Sequence, residues 1–330
     1  MTLFQRTIRL SRATMSLLSN ARELIYASEY FEEKRVQSLL TDFHQVMDVD
    51  PDCEPDATML VGDVPGVRPS VQVSAAHVVA VGDFARLEAE GRDRRYTLFS
   101  NMGLLYRYSL ATMERVHKVY SLHASAMYVP ARHELLVILG EGGAGKSVFL
   151  LQGILGGYRI FATELLQFQM DGRDYVFFKG SLLDNLRLGT LVHDYPELMQ
   201  ELGLNLPATK DVWESKVTVD LSRFAASEDE LRNPNLLLLF PHIESGIREP
   251  VVQDISNRRS LTKMLFDSAT AKIGSTTLLY ECLPVPSFDT PELMADRLKV
   301  VEEFLDRENP FTRRARRILA SPRDCMEGIE

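Results

Sequence analysis

A glycine-rich segment between two apolar stretches carries residue types that bind phosphate. Gly140-Glu-Gly-Gly-Ala-Gly-Lys146-Ser147 fits the pattern of a glycine, four residues and then Gly-Lys-Ser. Glycines permit backbone angles that turn successive N–H groups toward an anion, and no side chain blocks its approach. In this pattern the lysine reaches the β- and γ-phosphates and the serine hydroxyl ligands Mg²⁺. The predicted phosphate-binding residues are Gly140, Gly142, Gly143, Ala144, Gly145, Lys146, Ser147 and Val148.

The flanks of this loop agree with the motif. The apolar run 135–139 is typical of a buried strand, and 148–155 is typical of an apolar helix. Strand, loop and helix in that order form the context in which the motif binds nucleotides, because the helix adds the positive end of its dipole. The sequence therefore predicts a nucleoside triphosphate site, with Mg²⁺ as the expected metal.

Two further residues near the loop have side chains suited to proton transfer or metal binding. Glu164 follows a predicted strand, 158–162, directly after the loop helix. Mg²⁺ prefers one or two carboxylates together with phosphate oxygens, but position alone favours a metal or base role no more than a surface role. His123 lies in Leu-His-Ala-Ser-Ala, and a single histidine is most often structural.

These segments together resemble a known family. His123-Ala-Ser-Ala, the loop, and Gly156-Gly-Tyr-Arg-Ile-Phe-Ala-Thr-Glu164 are similar to the catalytic domain of HPr kinase/phosphorylase and its relatives. Those relatives share a fold with phosphoenolpyruvate carboxykinases. The resemblance covers residues 119–165 and implies an α/β P-loop kinase domain of that type, preceded here by a smaller α+β domain.

The resemblance implies a role for each matching position. His123 matches the family histidine near the reaction centre, while Lys146 and Ser147 match the phosphate and metal contacts. Thr163 and Glu164 match an Asp-Asp pair that supplies a metal contact and the base for the accepting hydroxyl. Threonine cannot act as a base near neutral pH. Either Glu164 therefore carries both roles, as metal ligand with Ser147 and as catalytic residue with His123 and Lys146, or the activity is altered or absent.

A downstream stretch is similar to a second element of the family. Ser181-Leu-Leu-Asp-Asn-Leu-Arg-Leu-Gly189 matches the family's Glu-Val-Arg-Gly-Leu-Gly element at Asp184 and Gly189, with Arg187 out of step. In the family that element is tied to the reverse, phosphorolytic reaction. The mismatch argues against a dual activity in this chain.

Composition limits the kinds of partner. The 330 residues carry a net charge of −9, and this field repels nucleic acid and anionic membranes. No apolar run has the length of a transmembrane helix, the first residues lack the apolar core of a signal peptide, and the three cysteines show no metal-binding spacing. We therefore expect a cytoplasmic protein that binds neither nucleic acid nor membrane, with a homo-oligomer as the expected assembly.

The chain before residue 119 is predicted to form a small α+β domain without nameable chemistry. Apolar spacing predicts helices from Ser11 to about Met47, followed by short strands at 58–61, 71–81, 96–100 and 104–108. The boundary near residue 118 divides the chain into domains 1–118 and 119–330. In the second, the run 236–240 predicts a central strand, and the basic cluster 313–317 is expected on a solvated C-terminal helix.

The reaction implied by the resemblance is transfer of the ATP γ-phosphoryl group to a hydroxyl. A small molecule and a protein serine remain equal as acceptors. The alternative is a nucleotide-binding regulatory protein of the same fold without transfer activity, which Thr163 favours. A decarboxylating carboxykinase would need further metal ligands, and the sequence shows no such set.

Overall fold

A computed structural model describes residues 2–26, 42–90, 96–172, 174–204, 211–306 and 313–329. The chain is a mixed α/β protein with several sheets, and it divides into two compact units. The first unit comprises Met1–Tyr120 and Ala269–Lys299; the second comprises Ser121–Ser268 and Val300–Glu330. The sequence analysis predicted a single domain boundary near residue 118, whereas in the structure residues 269–299 also belong to the first unit.

The first unit contains a six-stranded sheet in the order β3-β1-β2-β4-β6-β5. The central pairs β2–β4 and β4–β6 are parallel, and the outer pairs are antiparallel. Its strands are β1 (Phe4–Leu10), β2 (Ala13–Ser19), β3 (Val46–Asp48), β4 (Ala57–Asp63), β5 (Ser70–Val73) and β6 (His77–Gly82). The described helices before residue 120 are α1 (Arg22–Tyr26), α2 (Phe84–Glu90) and α3 (Leu104–Thr112), the last continued by a π-helical turn, Met113–His117.

Several secondary-structure predictions for the first unit are wrong. Residues 96–100 form a series of bends instead of a strand, and residues 46–48 form β3 instead of the end of a helix. Residues 13–19 form β2 instead of a helix, because a strand buried on both faces has a nearly continuous apolar pattern that also matches helical spacing. Residues 104–108 belong to α3 instead of a strand, since every residue of this helix is buried and no polar face reveals its period. The predicted second helical segment lies largely outside the described residues.

The second unit contains the loop and a six-stranded sheet in the order β10-β8-β9-β16-β20-β17. β9, β16 and β20 run parallel, and the other pairs are antiparallel. Its strands are β8 (Ala124–Val129), β9 (Glu134–Leu139), β10 (Arg159–Ala162), β16 (Asn235–Ile243), β17 (Val251–Asp254) and β20 (Arg313–Ala320). All six residues of β9 are buried, as expected for a strand in the middle of a mixed sheet.

The remaining elements flank these two sheets. A four-stranded sheet has the order β15-β12-β11-β7, and two antiparallel two-stranded sheets pair β13 with β14 and β18 with β19. These strands are β7 (Val119–Leu122), β11 (Leu166–Asp171), β12 (Asp174–Phe178), β13 (Leu183–Arg187), β14 (Lys216–Asp220), β15 (Glu230–Arg232), β18 (Thr277–Leu279) and β19 (Leu283–Val285). The helices are α4 (Lys146–Leu155), α5 (Pro196–Glu201), α6 (Arg258–Thr270) and α7 (Pro291–Phe304).

The predicted C-terminal basic helix is also wrong, because residues 313–320 form β20. Ala315, Ile318 and Ala320 are buried, and the strand pairs in parallel with β16 along its whole length. Carboxylates neutralise two of the arginines: Arg314 contacts Glu134 at 2.6 Å, and Arg316 contacts Asp254 at 3.0 Å. The cluster is therefore part of the sheet of the second unit. Among the described residues, no helix combines the length and the apolar character needed to cross a membrane.

Candidate active site

The register of three strands brings the candidate residues of the second unit to one edge of its sheet. β8 begins opposite Leu139, the last residue of β9, so His123 lies beside the entrance to the loop. β10 runs antiparallel to β8 and ends with Ala162 opposite Ala126, so Glu164 follows at the same edge. A shift of register just before Ala162 forms a β-bulge, a device that commonly re-aims side chains near functional sites.

The loop has the backbone of an anion cradle. Gly145 caps α4 with a φ of 103°, and a Cβ atom there would lie 2.3 Å from Cγ1 of Ile243 at the end of β16. Gly143 has a φ of 90° and faces open space. No side chain caps the first turn of α4, so its N–H groups remain available to an anion and the helix dipole favours negative charge there.

Lys146 is a buried lysine whose ammonium group lies against the loop. Its Nζ donates to the carbonyl oxygen of Gly140 at 2.8 Å and lies 3.4 Å from that of Glu141. The same atom is 3.3 Å from Nε2 of His123. The positive charge is therefore held where the loop begins and beside the histidine at the same sheet edge.

His123 connects Lys146 with Glu164. Its Nε2 lies 3.0 Å from Oε1 of Glu164 and 3.3 Å from Nζ of Lys146. One nitrogen cannot serve both contacts in the same way: with a proton it donates to the carboxylate, and without one it accepts from the ammonium. The backbone is fixed by α6, where the His123 N–H donates to the Ser268 carbonyl at 3.1 Å and the Ser268 hydroxyl donates to the His123 carbonyl at 3.2 Å.

Thr163 occupies a buried position and its hydroxyl contacts backbone carbonyls. Oγ1 lies 2.7 Å from the Leu183 oxygen and 3.0 Å from the Ser181 oxygen. The Thr163 N–H also donates to the Ser181 carbonyl, at 2.9 Å. This side chain therefore links the end of β10 to the start of β13, and it has no chemistry of its own to offer a substrate.

Asp184 is a functional candidate to which the sequence analysis assigned no role. It is buried on β13 and accepts a hydrogen bond from the Ser147 side chain. The pKa of Asp184 is raised to about 6, chiefly by burial and also by the charge of Glu164, while the Ser147 hydrogen bond and the Lys146 charge oppose the shift. Its Oδ2 is buried without a hydrogen-bond partner among the described residues. The signal for Asp184 was its match to the acidic position of the family's second element.

The donor set fits a hard cation in part. A buried carboxylate with an unpartnered oxygen is costly unless a proton or a cation neutralises it. Asp184 and the Ser147 hydroxyl supply oxygen ligands, and Mg²⁺ completes its shell with water and phosphate oxygens. Within the described ranges, no three His, Cys, Asp or Glu side chains are grouped to hold a metal without such help. The arrangement therefore suits a metal that arrives with a nucleotide.

The structure brings together the residues that the sequence singled out as catalytic. His123, Lys146 and Glu164 form one chain of contacts, and Ser147 lies in contact with Asp184. Gly140, Gly142, Gly143, Ala144, Gly145 and Val148 lie in the loop and the first turn of α4. Sequence reasoning missed two residues, Asp184 and Ser268, the second of which has no motif that could have revealed it.

Comparisons with known proteins give little beyond this geometry. No protein-family model matches the chain, and a search of curated proteins finds no match. Among solved structures, the HPr(Ser) kinase/phosphatase from Coxiella burnetii matches 41% of this chain and 76% of its own, with 13% sequence identity and a TM-score of 0.23. A likeness at that score carries no weight for function, which is therefore inferred from the residues of the site.

Proposed function

We propose that the second unit binds ATP with Mg²⁺ and transfers the γ-phosphoryl group to a hydroxyl. The observation that carries this proposal is the meeting of Lys146, His123 and Glu164 at the loop, beside Ser147 and the buried Asp184. A phosphate cradle, a base and a carboxylate that can bind a metal are the parts that phosphoryl transfer requires. The loop alone would support nucleotide binding only.

The phosphates would be held by the loop amides and Lys146. The N–H groups of the first turn of α4 face the anion, and the ammonium, now bonded to the Gly140 carbonyl, has the reach to turn toward the β- and γ-phosphates. Because Lys146 is buried, its charge acts through a medium of low effective dielectric and is strengthened accordingly. Positioning and charge stabilisation would supply most of the acceleration.

Ser147 and Asp184 would hold Mg²⁺. The family resemblance assigns the carboxylate part of this role to Glu164, but Asp184 is in contact with Ser147 and has the unpartnered oxygen. Glu164 lies close enough for its charge to raise the pKa of Asp184, so it adds to the negative field around the cation. Bound Mg²⁺ would neutralise charge on the phosphate oxygens as the phosphoryl group moves.

Glu164 would accept the proton of the attacking hydroxyl. The new bond forms between the hydroxyl oxygen and the γ-phosphorus, the bond to the β-phosphate oxygen breaks with ADP as the leaving group, and the proton passes to the Glu164 carboxylate. His123 would orient Glu164 through the 3.0 Å contact. General base help of this kind is typically worth about 10² to 10⁴ in rate. The acceptor would be a hydroxyl-bearing small molecule or a protein serine.

A nucleotide-binding regulator without transfer activity is the second candidate. It is favoured by Thr163, whose hydroxyl contacts carbonyl oxygens and replaces a carboxylate that the resemblance would place there. The two candidates differ in what Glu164→Gln should do. Under the kinase proposal this change removes turnover and keeps nucleotide binding, whereas a regulator has no turnover to lose.

The test is transfer of label from γ-labelled ATP with Mg²⁺, using cell extract as the source of acceptors. Lys146→Ala is the inactive control, and Lys263→Ala is the matched control because Lys263 is exposed on α6 and contacts only Asp267 in the described residues. We expect Lys146-dependent label on a metabolite or on a protein band, and either result identifies the acceptor class. ATP binding without any Lys146-dependent transfer would exclude the enzyme and leave the regulator.

A further inference from the structure

In the second unit, buried hydroxyl groups contact the backbone next to the two carboxylates of the site, Glu164 and Asp184. Thr163 Oγ1 lies 2.7 Å from the Leu183 carbonyl oxygen and 3.0 Å from that of Ser181. Leu183 directly precedes Asp184, and Thr163 directly precedes Glu164. One side chain therefore ties together the backbone next to each carboxylate.

Two serines extend the set in opposite directions. The Ser125 hydroxyl, buried on β8, donates to the Thr163 carbonyl. On the other side, the Ser181 hydroxyl accepts from the Leu183 N–H at 3.1 Å and closes a tight turn before β13. Ser125 is two residues beyond His123, so the contacts extend from β8, which directly follows His123, to β13, which contains Asp184. Neutral hydroxyls bonded to backbone groups can fix position without adding charge.

We infer that Thr163 is a positioning residue that holds Glu164 and Asp184 at the spacing phosphoryl transfer needs. This rests on the proposed function for its catalytic consequence, while the positioning itself is a property of the chain alone. A carboxylate at position 163 would contribute charge, whereas the threonine hydroxyl links β10 to β13 by hydrogen bonding. The acid function then belongs to Asp184, which reaches the loop from β13.

The inference predicts a separation between binding and turnover. Loss of the Thr163 hydroxyl removes its hydrogen bond to a backbone carbonyl, of which the Leu183 oxygen at 2.7 Å is the nearer, and loosens the start of β13. Residues that orient metal ligands typically cost about 10- to 100-fold in metal affinity or activity when they are changed. We therefore expect about that loss in kcat and a higher half-saturating Mg²⁺ concentration, with an unchanged KM for ATP, because the loop does not depend on Thr163.

The experiment compares Thr163→Val with Thr163→Ser in the full chain. Valine keeps the shape and removes the hydroxyl, and serine restores it. Ser109→Ala is the matched control, since it removes a buried hydroxyl that donates to a carbonyl at 2.8 Å in the first unit. Each protein is measured for kcat, KM, Mg²⁺ dependence, melting temperature, and hydrogen exchange of peptides covering 160–166 and 181–187.

Two readings keep the inference apart from the proposed function. Faster exchange across 181–187 in Thr163→Val, restored in Thr163→Ser and absent in Ser109→Ala, supports the positioning role whatever the turnover. Wild-type exchange in Thr163→Val at both peptides overturns it. The kinetic split then tests the catalytic consequence: an equal loss of turnover in the valine and serine variants overturns that link. Absence of transfer in the wild-type chain counts against the proposed function and leaves the exchange result standing.

Discussion

Nε2 of His123 lies 3.0 Å from Oε1 of Glu164, and this contact joins two residues 41 positions apart in the chain. The two side chains meet because β8 and β10 are antiparallel neighbours whose ends lie at the same edge of the sheet. Lys146 competes for the same nitrogen at 3.3 Å. A nitrogen shared between a carboxylate and an ammonium couples these two side chains through His123.

The first prediction concerns this coupling. Glu164→Gln should lower kcat by about 10² to 10⁴ with nucleotide affinity nearly unchanged, because the base is lost and the loop is intact. His123→Gln should cost less, and the double variant should resemble Glu164→Gln alone, since residues that act as a unit are not additive. Steady-state kinetics of the four proteins measures this. His133→Gln, at the opposite end of β9 from the loop, is the control, and additive losses would contradict the coupling.

A second prediction follows from the raised pKa of Asp184, about 6 against an ordinary value of 3.8. The folded chain favours the protonated carboxyl more strongly than the unfolded chain does. The stabilisation from this group is therefore fully present below pH 3.8 and is lost as the pH rises through 6. At pH 7.5 without Mg²⁺, Asp184→Asn should therefore melt at a higher temperature than wild type, with a free energy of unfolding that is higher by about 1–2 kcal/mol. The gain is limited because a buried amide without a hydrogen-bond partner retains part of the cost of burial. The difference should shrink toward pH 4.

The same variant should lose its response to the ligand. With ATP and Mg²⁺ present, wild type should gain melting temperature and turn over, while Asp184→Asn should show little of either effect. Thermal unfolding across pH 4–8, with and without MgATP, measures both parts. A wild-type chain more stable than Asp184→Asn at pH 7.5 without ligand would show that Asp184 is a structural carboxylate instead of an unpaired one.

A third prediction compares two glycines of the loop. Gly145→Ala adds a Cβ within 2.3 Å of Ile243 at a φ of 103°, so it should cost about 1–3 kcal/mol in stability and remove nucleotide binding. Gly142→Ala meets nothing within 4 Å and should keep wild-type stability. Urea unfolding and binding of a fluorescent ATP analogue measure the contrast. Equal stabilities would show that α4 can begin without a left-handed residue at position 145.

A fourth prediction concerns a buried charge cluster in the first unit. Arg297 contacts Glu114 at 2.7 Å and Asp289 at 2.9 Å, and all three side chains are buried. One guanidinium faces two carboxylates, and burial raises the pKa of Glu114 to about 7 against the opposing hydrogen bond from Arg297. Stability linked to Glu114 is therefore present below its ordinary value of 4.5 and is lost as the pH rises through 7.

Glu114→Gln should remove this pH dependence, because an amide keeps a hydrogen bond to Arg297 and does not ionise. Urea unfolding between pH 5 and 8, together with hydrogen exchange of α3, should show that the stability of the wild type falls as the pH rises. The stability of the variant should change less over the same range. Glu90→Gln, an exposed residue of the first unit that pairs with Arg86, serves as the control. A wild-type stability that rises relative to the variant over this range would mean that Glu114 is ionised throughout.

The sequence predicts the local parts of the site better than the parts that assemble through long-range pairing. The loop, its strand and its helix follow from adjacent residues, and the structure has β9 and α4 where the pattern placed them. His123 and Glu164 came from a resemblance, since nothing in their spacing shows that they touch. Asp184 was missed because its burial and its contact with Ser147 depend on how β13 folds back on β10.

The errors in secondary structure share one physical cause. Elements that are buried on all sides lose the alternation of polar and apolar residues on which such predictions depend. α3 is buried along its whole length and was predicted as a strand, while β2 matched helical spacing by its apolar content. In β20 the charged residues suggested a solvated helix, but Glu134 on β9 and Asp254 on the adjacent β17 pair with two of the arginines. Such partners are invisible until the sheet order is known.

The last prediction tests whether position 163 is a catalytic position that has lost its carboxylate or whether Thr163 holds β10 and β13 together. Thr163→Asp would place an acceptor-only carboxylate against the carbonyl oxygens of Ser181 and Leu183 in a buried site, so it should destabilise the second unit by about 2–3 kcal/mol at pH 7.5 and lower turnover. Part of that loss should return near pH 5, where a protonated carboxyl can donate. Thr163→Asn is the matched control, because its amide can donate to both oxygens and should be tolerated. Melting temperature and turnover at both pH values decide the matter, and a gain of turnover in Thr163→Asp at pH 7.5 would mean that the position is a catalytic one that has lost its acid.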